Sequence, residues 1–206
     1  MNVVSTKVTP TLQGGDLLSL LDYDANQIRH ILDVAANLKA KQKQGKPMKL
    51  LEGKTLGMIF SKPSTRTRIS FQTSMYQLGG NAIFLKEDDM QLSRGESVAD
   101  TAKVLSGYLD GIMIRTYSQK MIEELAEHAT IPVINGLTDM YHPCQALADL
   151  LTIEEQKGKL AGNKIAYIGD GNNVTHSLLI AAATMGMDVA IATPRDANPM
   201  QPFYIR

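Results

Sequence analysis

From Thr55 onward, short apolar runs alternate with longer amphipathic stretches, and this alternation constrains the fold more than any other feature of the chain. The runs occupy residues 55–60, 82–85, 111–115, 132–134, 164–168 and 188–192. A chain that returns to a strand after each helix builds a parallel sheet with helices on its faces, so the expected class is α/β. Ahead of the first run, residues 24–43 carry Ile28, Ile31, Leu32, Ala35 and Leu38 at helical spacing and end in a lysine-rich turn. Positive charge there suits the negative end of a helix dipole, and the apolar stripe reads as a packing face.

The polar, glycine-containing stretch at residues 156–163 separates a helix from the next strand and marks a boundary. Two units are expected, 1–156 and 157–206, as parallel-sheet α/β/α domains with the second present only in part. That second unit has room for two strands and one helix before the chain closes with Pro194, Arg195 and Asp196, too little to bury a core alone.

Composition removes other classes. With 206 residues, 44% of them hydrophobic and 20% charged, the chain has enough apolar material for one large or two small globular domains. The 21 Lys and Arg balance the 21 Asp and Glu, so no global field draws it to nucleic acid or an anionic membrane. Any anion it binds must be held by a local cluster. The single cysteine, Cys144, forms neither an internal disulfide nor a multi-cysteine metal site, which fits a reducing compartment. No run is long enough to span a bilayer and residues 1–7 lack an apolar leader, so a cytoplasmic protein is expected.

The most informative stretch is Ser61-Lys62-Pro63-Ser64-Thr65-Arg66-Thr67-Arg68, between the first strand and the helical pattern of Ile69, Phe71, Met75 and Leu78. Such a turn aims open backbone N–H groups and the positive end of the helix dipole at one point. Ser64, Thr65 and Thr67 add hydroxyls there and Arg66 adds a forked cation, a set suited to phosphate. Arg68 is expected to serve a structural ion pair. Arg115 ends the third strand, on the side where open α/β sheets place ligands, and reads equally well as an anion contact or a surface ion-pair partner.

His142-Pro143-Cys144-Gln145 opens another helix after the polar turn read at residues 135–139. A neutral imidazole can donate to a carbonyl oxygen as it gains negative charge, and the Gln145 amide can accept from an N–H2 group. Taken alone, His142 reads as a capping or satisfied histidine, and Cys144 as a small packing residue with no base beside it. Gly169-Asp170-Gly171-Asn172-Asn173 follows the fifth strand like half of a dinucleotide fingerprint, but Val174 holds the third glycine position. Asn172 and Asn173 fit either an amino-acid head group or an asparagine turn. His176 lacks a metal-ligand partner at helical spacing and reads as structural.

As an ordered set, Ser64-Thr65-Arg66-Thr67-Arg68, Arg115, His142-Pro143-Cys144-Gln145 and Gly169-Asp170-Gly171-Asn172-Asn173 resemble the aspartate/ornithine carbamoyltransferase family. The runs from His142 through Thr152 and from Gly169 through Ser177 look like the ornithine branch. The resemblance implies a first domain that binds carbamoyl phosphate, a second that binds L-ornithine, and trimers or multiples of trimers with sites between subunits. It implies that Ser64, Thr65, Arg66 and Thr67 hold the phosphate, that Arg115 and His142 serve the carbonyl side, and that Gln145 takes the carbamoyl nitrogen. Gln91 would reach into a neighbour's site and Asn173 would contact ornithine. Arg66, Arg115 and His142 would be the catalytic groups, with no metal or other cofactor. The family's later ornithine-gripping segments do not occur in these residues, so the short chain by itself is expected to be inactive or nearly so. An aspartate-type enzyme, a carbamoyl-phosphate-binding unit without turnover and, distantly, a dinucleotide-dependent oxidoreductase are the alternatives.

Overall fold

A computed structural model describes residues 12–194. The start at residues 1–7 and all but the first residue of the ending at 194–206 lie outside the described residues. The elements are α1 (Ala25–Lys43), β1 (Thr55–Phe60), α2 (Thr65–Gln77), β2 (Asn81–Lys86), two 3-10 turns (Glu87–Asp89 and Gln91–Arg94), α3 (Val98–Ser106), β3 (Gly111–Arg115), α4 (Gln119–His128), β4 (Val133–Leu137), α5 (Pro143–Lys157), β5 (Lys164–Ile168), α6 (Asn173–Thr184) and β6 (Asp188–Ala192). A four-stranded parallel sheet runs β2-β1-β3-β4, and β5 pairs in parallel with β6 in a second sheet.

The period of two along a strand sorts the first sheet's side chains between its faces. Ile59, Ile112, Ile114 and Val133 pack with Ile122 and Leu125 of α4 and Ala102 of α3. Leu56, Met58, Phe60 and Met113 pack on the other face with Met75 of α2. A third cluster joins the two units, bringing Ile28 and Leu32 of α1 against Leu147 and Leu150 of α5 and Ile180 and Ala181 of α6. The stripe read on residues 24–43 is therefore a packing face. Asp24 caps α1 through a reciprocal bond with Gln27, and Lys41 and Lys43 close its last turn. Arg29 fixes α1 to α5 through both carboxylate oxygens of Glu154, at 2.5 and 2.8 Å.

Two expectations are corrected. Asn135, Gly136 and Leu137 are the end of β4 rather than part of a polar turn. The reason is tertiary: the Asn135 N–H donates to the Leu17 carbonyl at 2.8 Å, and its side-chain amide donates to the Leu18 carbonyl at 2.8 Å. Leu17 also donates to Val133 O at 2.9 Å, and the Asp16 carboxylate accepts from Val133 N–H at 2.8 Å, so residues 16–18 line the outer edge of β4. Gly136 is the extra residue where Arg115 skips to pair with Leu137. A Cβ there would sit 2.5 Å from Met113 Sδ and 3.2 Å from the Ile114 carbonyl, which only glycine avoids. The second correction concerns Arg68: among the described residues it makes no ion pair, and its guanidinium lies 3.9 Å from the Phe84 ring centroid.

Candidate functional site

The carboxyl ends of β1, β3 and β4 open onto one cleft of about 540 Å³, lined among others by Ser64, Arg66, Thr67, Arg115, His142 and Gln145. Each arrives by a local rule. Ser64 is the N-cap of α2, with extended backbone and an Oγ that accepts from the Thr67 N–H at 3.2 Å. The first amides of α2 therefore point outward without helical partners. The Ser61 N–H donates to the Arg115 carbonyl at 2.9 Å, tying the turn after β1 to the end of β3. From that strand end Arg115 extends to Thr67, with Nη1 3.4 Å from Oγ1.

The cationic groups of the cleft have no counter-charges in contact with them among the described residues. Among the described residues no carboxylate pairs with Arg66 or Arg115, and Arg115 Nε is buried without a hydrogen-bond partner. Burial, and then the like charge of Arg66, hold the Arg115 guanidinium below its ordinary pKa. His142 is the N-cap residue of α5, but its side chain makes no capping bond and its Nδ1 is buried without a partner. Burial first, and Arg115 second, push its pKa down to about 4, so the ring is neutral at physiological pH. Cys144 behaves as a packing residue: burial drives its thiol up to about 12, and Sγ donates to the Asn135 carbonyl at 3.4 Å.

Not every residue named from the sequence gathers there. Thr65 lines the neighbouring cleft with Lys62 and Arg68. Gln91 is exposed on the second 3-10 turn and lines neither cleft. The Asn173 side chain donates to the Thr138 carbonyl at 2.5 Å, while its neighbour Val174 lines the cleft. Asn172 is committed to capping α6, accepting from the N–H groups of Val174 and Thr175. The structural reading of His176 fits its position, buried with Nδ1 3.0 Å from the Met140 carbonyl. No group of three or more potential metal ligands occurs among the described residues, and none of their helices is long and apolar enough to cross a membrane.

Further contacts were not singled out from the sequence. The His142 N–H donates to Ser177 Oγ at 2.8 Å, so α6 grips the loop that carries the histidine. Lys62 pairs with Asp139 and lies 4.0 Å from the Tyr117 ring centroid, linking the turn after β1 to that before α5. Gln145 donates to Asp149 at 2.9 Å, a contact that i,i+4 spacing on one helix does foreshadow.

Fold and cleft together define a parallel α/β protein whose cationic and polar side chains converge at a helix N-terminus and the ends of adjacent strands. Residues 15–155 match the family model for the carbamoyl-P binding domain of aspartate/ornithine carbamoyltransferase, and residues 161–205 match that for its Asp/Orn binding domain. The chain belongs to the aspartate/ornithine carbamoyltransferase family. It is 61% identical over 188 residues to an ornithine carbamoyltransferase of Oceanobacillus iheyensis, covering 91% of this chain and 58% of that protein. Against the ornithine carbamoyltransferase of Halalkalibacterium halodurans it is 57% identical over 206 residues, covering 100% of this chain and 64% of the relative. The solved ornithine carbamoyltransferase from Pyrococcus furiosus superposes with a TM-score of 0.90 at 58% identity, covering 92% of this chain and 61% of that one. The chain thus spans about 60% of the length of the relatives it matches.

Proposed function

We propose that this chain supplies the carbamoyl-phosphate site of an ornithine carbamoyltransferase, an enzyme of arginine biosynthesis. The protein transfers the carbamoyl group to the δ-amine of L-ornithine, giving L-citrulline and phosphate. The observation that carries this reading is the pair of arginines without counter-charges, Arg66 and Arg115, beside the open amides of α2 and a neutral His142. The ornithine branch is supported by the names of the relatives. The division is taken at 156/157, in the polar stretch after α5, and the gap between the two family matches supports it.

Ser64, Thr65, Arg66 and Thr67 bind the phosphoryl oxygens, and Arg115 bridges phosphate and carbonyl. The neutral amine of ornithine, oriented in part by Asn173, attacks the carbamoyl carbon. The C=O pair moves onto oxygen, where Arg115 and a His142 N–H stabilise it. Collapse of this tetrahedral oxyanion breaks the C–O bond to phosphate, and the leaving phosphate takes up the proton that the nitrogen gives up. Holding both reactants in one cleft supplies the remaining advantage. The reaction runs in the cytoplasm, in trimers or multiples of trimers whose Gln91 loops complete neighbouring sites, with no part for nucleic acid, membrane or a resident cofactor.

Calorimetry of this chain with carbamoyl phosphate and inorganic phosphate tests the first half. Arg66→Ala, losing a charge-assisted contact of about 1.5–3 kcal/mol, is expected to weaken both roughly tenfold to a hundredfold. No binding by the folded wild-type chain overturns the reading. Assay of the whole protein with ornithine and with aspartate tests the second half, and carbamoyl-aspartate as sole product overturns the ornithine assignment.

A further inference from the structure

Gln145 and Asp149 stand one turn apart on the face of α5 that lines the cleft. Gln145 Nε2 donates to Asp149 Oδ1 at 2.9 Å, and among the described residues the Gln145 Oε1 has no protein partner. A side-chain amide is ambidextrous: it can offer its N–H2 or its oxygen to a ligand, and its surroundings decide which. An ionised carboxylate only accepts, so it can engage only the N–H2 end. Asp149 is half-buried in this wall, and Gln145, one turn before it, is exposed to the cleft.

We infer that Asp149 is a positioning residue that fixes Gln145 as a hydrogen-bond acceptor, so that the cleft selects an anion carrying an N–H2 group over one of equal size and charge that lacks it. The inference rests on the carbamoyl-phosphate reading of the cleft and adds to it the origin of the discrimination. A carboxylate in the wall that also carries Arg66 and Arg115 weakens the site's pull on any anion, and its place there is accounted for if it orients Gln145. The same bond makes Gln145 a prepared acceptor, so less rotamer freedom is lost when the ligand arrives.

Two stable phosphonates of matched shape and charge test this on the 206-residue chain: phosphonoacetamide, which ends in N–H2, and its methyl-ketone counterpart, which ends in CH3. Their affinity ratio cancels general changes in fold or field, because those act on both ligands alike. Wild type is expected to prefer the amide roughly tenfold, the worth of one hydrogen bond. Asp149→Ala should cut that ratio at least threefold, Gln145→Ala should remove it, and the double variant should show no further loss. Asp149→Leu, which keeps the branched shape and cannot accept, serves if the alanine variant fails to fold and should give the same fall. A full ratio in a folded Asp149 variant, with Gln145→Ala abolishing it, overturns the inference and leaves the reading of the cleft intact. Failure of the folded wild type to bind either phosphonate overturns that reading itself.

Discussion

β1 and β3 are buried over nearly their whole length, whereas β5 and β6 expose every second residue or more, although both pairs are parallel and apolar in sequence. The difference lies in their covering. In the first sheet α2 packs on one face and α3 and α4 on the other. The two-stranded sheet is served among the described residues by the cluster that α1, α5 and α6 share, and Ile168 is 86% exposed. An apolar run therefore states what a strand can bury, while its neighbours decide what it does bury. For the site, the first sheet supplies fixed strand ends, and the second unit contributes a helix that grips the loop before His142.

The sharpest way to break this contrast is to truncate matching isoleucines. Ile114→Ala in β3 should destabilise by about 2–5 kcal/mol, read as a fall in urea midpoint, because a fully buried side chain leaves a cavity. Full retention of stability would show that the first sheet does not carry the fold. Next in size is the acid response of His142. Its folded pKa of about 4 lies below the ordinary 6.5, so between these values the unfolded chain binds more protons. The stability linked to neutral His142 is complete above pH 6.5 and is lost as pH falls toward 4. His142→Gln should flatten that portion of the stability profile, and an unchanged profile would mean the ring is not held neutral by burial.

The grip of α6 is tested by Ser177→Ala, which removes the acceptor of the half-buried His142 N–H. A loss of about 1 kcal/mol is expected, with weakened phosphonate binding if loop and ligand are coupled. An unaltered affinity would confine Ser177 to stability. The smallest effect belongs to Ile168→Ala, which should shift stability by less than about 0.5 kcal/mol. A larger loss would place a packing partner on that face.

What could be read from the sequence followed the range of the forces involved. β1, β3, β5 and β6 were legible to the residue, because their apolar runs are bounded by local breakers. The end of β4 was not: Asn135-Gly136 has the local chemistry of a turn, and the bonds that keep it extended come from Leu17 and Leu18. The gathering of Ser64, Arg66, Thr67, Arg115, His142 and Gln145 in one cleft was implied by the family resemblance, whereas their places at strand ends and helix starts left Arg115 and His142 open between ligand and structural roles. Arg68 was misread because an aromatic face beside it, Phe84, is supplied by β2 and leaves no trace in local charge pattern. Ser177 was invisible for the same reason.

The pairing of Leu17 with β4 also bears on how the molecule comes into being. Asp16 waits for a partner, Val133, that lies 117 residues further along the chain. At roughly 5–20 residues per second on the ribosome, the start of the sheet's outer edge must remain unmatched for on the order of ten seconds before its rung exists. Residues 16–18 are thus made well before the strand that seats them, a long-range closure of the kind that slows folding. Until it forms, β4 presents an open edge to other nascent chains. Crowded polysomes would feel the lateness of this seam before any purified sample did.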